Sequence, residues 1–137
     1  MPSRLHRPYR VFLVEDDVLV AEAITDALAA AGMVLVGWAI DPISALAWLD
    51  SGMHLDLALL DIGLPGGSVY PIADRLRERH IPTLFTSGAD PGAIPAAYRD
   101  IPLLEKPFGF RELIATIAAW TNSVVPMTTG SDDSNEC

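Results

Sequence analysis

The sequence predicts an α/β protein: a doubly wound, five-stranded parallel sheet with helices on both faces. Three observations carry this expectation. Short β-branched, aliphatic and aromatic runs alternate with Ala- and Leu-rich stretches of helical period, and such alternation implies crossover connections and therefore parallel strands. The runs are too short to be anything but strands, and apolar enough to be covered on both sides. Finally, four of the five end in polar residues, which places a polar edge at the carboxyl ends of the sheet.

The first strand lies in "YRVFLVEDD", which closes on Glu15, Asp16 and Asp17. Val18 to Ala31 follows as a helix, with Ala21, Ile24, Leu28 and Ala31 at helical spacing and Gly32 where a helix stops. "MVLVGWA" is the second strand. Asp41 and Pro42 then supply an N-cap and a first-turn proline for a helix through Asp50. "LDLALL" is the third strand, ending in Asp61, and after "IGLPGGS" a helix spans Val69 to Arg79. Pro82 to Ser87 forms the fourth strand, with a short helix expected over Gly92–Tyr98. "PLLEK" is the fifth, and "FGFRELIATIAAW" is an amphipathic last helix with Phe110, Leu113, Ile114 and Ile117 on one face. The reading is thus five strands alternating with five helices. It divides the chain into an arm over 1–8, one domain over 9–121 and a disordered acidic tail over 122–137.

Composition narrows the function. The 137 residues hold 50% hydrophobic and 20% charged side chains, a globular balance. A formal net charge of −9 argues against a nucleic-acid partner, which requires clustered Lys and Arg. Arg4, Arg7 and Arg10 cluster only in the arm, as a solvated leader. A single cysteine, Cys137, excludes an intramolecular disulfide. With neither a secretory leader nor an apolar run long enough for a bilayer, the expectation is a cytoplasmic protein with no membrane contact.

Chemistry is expected where the strands end. Glu15 and Asp16, Asp61, Ser87 and Lys106 close four of the strands, and Lys106 is the only lysine in the chain. Each residue alone has an ordinary explanation as a turn, cap or snorkelling side chain. Their shared position makes coincidence a poor account. Gathered carboxylates raise one another's pKa unless a cation is present, and hard oxygens with room for water suit Mg²⁺. A hydroxyl and an ammonium can then each take a phosphoryl oxygen.

These residues resemble a bacterial two-component response-regulator receiver domain of the single-domain, chemotaxis-regulator-like kind. "FLVEDD" is similar to that family's acidic pair, "LALLDIGLPGG" to its phospho-acceptor segment, "PTLFTSG" to its Ser/Thr strand and "EKPF" to its Lys-Pro ending, over residues 9 to 120. The resemblance implies a flavodoxin-like (βα)₅ fold and Asp61 as phospho-acceptor. It implies Mg²⁺ held by Asp16, Asp61 and the Gly63 carbonyl, with Glu15 acting through water and Asp17 left as the cap of the helix that follows. Ser87, rather than Thr86, and Lys106 would bind the phosphoryl group, and the bond after Lys106 would be cis. A sensor histidine kinase or histidine phosphotransfer protein would be the donor. Signalling would pass by protein contact, the chain being a monomer or a phosphorylation-dependent dimer, and the protein would not be an enzyme. Leu103 stands where the family usually carries an aromatic switch residue; together with "FTSG", this is similar to a subgroup lacking that aromatic.

Two other functions use similar residues. A small Mg²⁺-dependent phosphatase with an aspartate nucleophile needs a second acid two residues later, where this chain has Gly63. A pseudo-receiver would bind partners without phosphorylation. His6, His54 and His80 read as surface-loop residues, Trp38, Trp48 and Trp120 as core and flank packing, and Arg75, Arg77 and Arg79 as a solvated helix face.

Overall fold

The computed structural model describes residues 8–88 and 94–124. Strands β1 (Tyr9–Val14), β2 (Met33–Ala39), β3 (Leu57–Asp61), β4 (Thr83–Ser87) and β5 (Leu103–Glu105) form one parallel sheet in the order β2-β1-β3-β4-β5. The helices are α1 (Val18–Ala30), α2 (Pro42–Asp50), α3 (Tyr70–Glu78) and α4 (Phe110–Val124). Among the described residues, only a 3₁₀ turn, Ala96–Tyr98, represents the short helix expected over Gly92–Tyr98; residues 89–93 lie outside the description. None of the described helices is long and apolar enough to cross a membrane.

The period-two alternation of each strand sends its side chains into two separate cores. Phe12, Val14, Ala58, Leu60 and Phe85 meet Ala45 and Leu49 of α2 and Ile72, Ala73 and Leu76 of α3. On the other face Val11, Leu13, Leu57, Leu59, Leu84 and Leu104 meet Ala21, Ile24 and Leu28 of α1 and Leu113 and Ile117 of α4. Every residue of β3 and β4 is buried. Each large aliphatic or aromatic side chain so covered contributes roughly 1.5–3 kcal/mol, which is why these short strands need no help from intrinsic propensity.

The sequence signals for helix starts hold. Asp17 caps α1 through Oδ1, which accepts from the Leu19 and Val20 amides, and Asp41 caps α2 by accepting from Ser44 N at 2.7 Å. Other expectations change. Phe110 is 48% exposed, whereas Leu113 and Ile117 of the same face are buried in the core. Trp38 is 42% exposed instead of contributing to the core. Its orientation follows from a bulge: Val11 pairs with Leu35 but Phe12 pairs with Gly37, so Val36 is an extra residue and the facing of β2 is reset. Gly37 then faces the Trp48 indole, which stacks on Phe12 with centroids 4.2 Å apart. A Cβ at residue 37 would lie 2.4 Å from that indole, so only glycine fits.

Helix α4 runs to Val124, past the boundary read at residue 121, continued by its docking through Ile117 and Trp120. Residues 125–137, including Cys137, and the arm residues Arg4, His6 and Arg7 lie outside the description. Arg10 belongs to β1, not to a solvated leader; its Nε donates to the His54 carbonyl at 2.8 Å. The face of α3 carrying Arg75, Arg77 and Arg79 is solvated as expected, and its side chains are also tied to neighbouring segments. Arg75 pairs with Asp50, Arg77 with Asp100 at 3.2 Å, and Arg79 donates to the carbonyls of Leu49 and Met53.

Candidate functional site

The chain leaves β1 toward β2 on one side and returns to β3 on the other, so the carboxyl ends of β1 and β3 form the point where the sheet order reverses. Crevices open at such points because the two crossovers diverge. Glu15 follows β1 directly, and its amide donates to the Ala39 carbonyl at 3.0 Å, extending the ladder by one residue. Asp61 closes β3. Lys106 follows β5, held by its own amide donating to the Ser87 carbonyl at 2.8 Å, and its bond to Pro107 is cis.

The side chains converge. Lys106 Nζ lies 2.7 Å from Glu15 Oε1 and 2.9 Å from Asp61 Oδ2. The other Asp61 oxygen, Oδ1, accepts the Gly63 amide at 2.8 Å, while Glu15 Oε2 accepts the Asp17 amide at 3.1 Å. Glu15 is wholly buried and Asp61 is 4% exposed, whereas Asp16 stands at the surface. Carboxylate oxygens of Glu15, Asp16 and Asp61 lie within 4.8 Å of one another.

Three carboxylates therefore face one ammonium. Burial pushes the Glu15 carboxyl above its usual value; the Lys106 hydrogen bond and the Asp17 amide pull the other way, and the nearby Asp61 charge adds to the rise. For Lys106, burial depresses the ammonium pKa, but the hydrogen bonds to Glu15 and Asp61 outweigh it and hold the group above its ordinary value. The ammonium is thus charged at neutral pH, and a further cation is still favoured. The donor set fits a hard divalent ion such as Mg²⁺: oxygen ligands only, one of them exposed enough to leave water in the shell.

All the expected residues lie at this end of the sheet. Ser87 and Thr86 are both buried at the end of β4: Thr86 pairs in register with Asp61 and Leu104, and Ser87 pairs with Glu105. Gly63 leaves the space beside Asp61 open, since even a Cβ there would stand 3.5 Å from Asp61 Oδ1. Leu103 packs into the cluster that holds Phe85, Tyr70 and Tyr98. Within that cluster Tyr70 meets Phe85 edge-on at 5.9 Å and stacks on Tyr98 at 4.6 Å.

Comparison with known proteins agrees with this geometry. Residues 11–118 match the family model of the response regulator receiver domain. The chain belongs to that family. It is 35% identical over 117 residues to the response regulator protein PmrA of Pseudomonas aeruginosa, covering 82% of this chain and 52% of PmrA. It is 29% identical over 114 residues to the transcriptional activator protein IrlR of Burkholderia pseudomallei, covering 79% of this chain and 48% of IrlR. The chain thus spans about half the length of these relatives. The solution structure of SdrG from Sphingomonas melonis Fr1 superposes with a TM-score of 0.74 at 31% identity, covering 82% of this chain and 96% of SdrG. A receiver protein from Sinorhizobium medicae shares the fold, with a TM-score of 0.74 at 22% identity over 86% of this chain and 98% of its own.

One contributor to the receiver site has no signal in periodicity or motif. Trp38 Nε1 donates to the Glu15 carbonyl oxygen at 2.7 Å, a contact across β2 and β1 that depends on the bulge. Only the indole N–H at a strand end, a polar group on an otherwise apolar residue, hints at it.

Proposed function

We propose that this receiver domain accepts a phosphoryl group on Asp61 from a phosphohistidine of a sensor kinase or phosphotransfer protein, and that it signals through protein contact. The observation that carries this reading is the buried Asp61 carboxylate, oriented by Gly63 and Lys106 and flanked by Glu15 and Asp16. Each Asp61 oxygen accepts one of these bonds and keeps lone-pair capacity for attack. In the transfer a bond forms between an Asp61 oxygen and phosphorus, the phosphorus–nitrogen bond breaks, and the imidazole nitrogen keeps the electron pair and takes up a proton. Asp16, Asp61 and the Gly63 carbonyl would hold Mg²⁺, with Glu15 acting through its water; the ion supplies neutralisation of the charge on the phosphoryl oxygens. Lys106 offers its ammonium to one of those oxygens, and the Ser87 hydroxyl donates to another. Gly63 offers no acid for hydrolysis, in keeping with a phospho-acceptor and not a phosphatase.

The surface beside the site supports a protein donor. A groove of about 440 Å³ between α1 and the segment from Lys106 to Phe110 is lined by Leu19, Val20, Ala23, Phe108 and Leu113 among others. Leu19 is 76% exposed at its rim. A helical partner covering these apolar residues would bring a histidine over Asp61.

Intact-protein mass spectrometry after incubation with acetyl phosphate and Mg²⁺ tests the reading. A single phosphoryl adduct on the wild type, absent without Mg²⁺, is expected. Failure to gain an adduct, together with failure to bind beryllofluoride, would overturn it.

A further inference from the structure

Trp38 is an unusual side chain for its place. A large aromatic is left 42% exposed there, yet its one polar atom is committed at 2.7 Å to the Glu15 carbonyl. That carbonyl belongs to the peptide that leads into Asp16, the exposed carboxylate of the three-acid cluster. The Glu15 amide is already held by the Ala39 carbonyl, and Glu15 Oε2 by the Asp17 amide. With the indole N–H added, the main chain at the end of β1 is fixed from the β2 side at both its donor and its acceptor.

The arrangement depends on the β2 bulge. Without the extra residue at Val36, residue 38 would face the opposite side of the sheet, because a shift of one residue inverts the facing of every side chain that follows. The bulge brings Trp38 opposite Leu13, two residues before Glu15.

We infer that Trp38 is a positioning residue for the metal site: its indole N–H locks the Glu15–Asp16 peptide so that the Asp16 carboxylate is preorganised toward Glu15 and Asp61. The inference rests on the reading of the acid cluster as a divalent-cation site. Without the bond, Asp16 remains a ligand but must be ordered when the ion arrives, and that ordering appears as weaker binding.

The test is a Mg²⁺ titration followed through the Asp16 and Gly63 amide signals in ¹H–¹⁵N spectra, on wild type, Trp38→Phe and Leu76→Ala. Trp38→Phe keeps an aromatic ring and removes the donor; loss of one hydrogen bond predicts about a fivefold higher Kd. Leu76→Ala opens a cavity in the core under α3, away from β2 and Glu15, so it should lower the melting temperature and leave the Mg²⁺ Kd unchanged. An unchanged Kd in Trp38→Phe would overturn the inference while leaving the metal site intact. Equal weakening in both variants would assign the effect to general destabilisation and overturn it too. Wild-type protein that shows no saturable Mg²⁺ response would instead remove the metal reading itself.

Discussion

Asp56 and Asp61 bracket β3, one before the strand and one closing it, and they are held in different ways. Asp56 is built into the ladder. Its Oδ2 accepts the Arg10 amide at 2.8 Å, its own amide donates to the Arg10 carbonyl at 2.7 Å, and His54 Nε2 lies 3.2 Å from Oδ1. Its charge also acts on Tyr9, whose phenol is pushed above its ordinary pKa by burial and by Asp56, against a Thr121 hydrogen bond that lowers it. Asp61 shares its surroundings with two further carboxylates and one ammonium. The same side chain at two ends of one strand is thus a joint in one case and an unbalanced charge in the other. Excess negative charge, oriented by fixed donors, favours a cation, and the cation in turn can offset the charge of a phosphoryl group.

The largest contrast is chemical. Asp61→Asn should abolish the phosphoryl adduct, while Asp56→Asn should keep the labelling rate within about twofold, since it lies outside the reacting groups; intact mass after acetyl phosphate treatment compares them.

Next comes Lys106→Met, which keeps the stem but leaves the buried Glu15 carboxylate without its counter-ion. Removing one partner of a buried pair costs about 3 kcal/mol or more, and urea unfolding would measure it. A loss below about 1 kcal/mol would mean that Glu15 takes up a proton and that the pair matters little.

A smaller loss is expected at the other end of the strand. Asp56→Ala strips the acceptor from the Arg10 amide, costing about 1–3 kcal/mol, with no change in Mg²⁺ affinity. Coupled loss of both would erase the distinction between the two ends.

The finest contrast is in pH. Because the Glu15 carboxyl is raised in the folded state, the folded chain binds more protons than the unfolded one above the ordinary value of 4.5. Its contribution to stability is therefore full below that value and is lost as pH rises through the raised folded pKa. Glu15→Gln, in metal-free buffer, should flatten this part of the stability profile; an unaltered slope would contradict the burial argument.

Much of this site was legible in the sequence because strand ends are local signals. The acids after "VFLV", the aspartate after "LALL" and the lone lysine after "LLE" each announce where a strand stops, and parallel topology does the rest. Asp17 and Asp41 were readable as caps for the same reason. What could not be read depends on contacts across the sheet. Periodicity puts Phe110 on the apolar face of α4 with Leu113 and Ile117 but does not tell which positions of that face the core covers. Nor does any local pattern indicate that Arg75, Arg77 and Arg79 reach Asp50, Asp100 and the carbonyls of residues 49 and 53. The bulge at Val36 is likewise invisible, and with it the turning of Trp38 toward Glu15. The donor of Asp61 Oδ1, by contrast, lies two residues away, close enough for the motif to carry it.

The most direct test of the central claim localises the phosphoryl group. After treatment with acetyl phosphate and Mg²⁺, borohydride reduction converts an aspartyl phosphate to homoserine, and peptide mass spectrometry identifies the converted position. Conversion at Asp61 alone, with Asp16 and Asp56 intact, is the result predicted by the unbalanced charge at the carboxyl end of β3. Conversion at Asp16 or Asp56, or equal conversion at several aspartates, would contradict it.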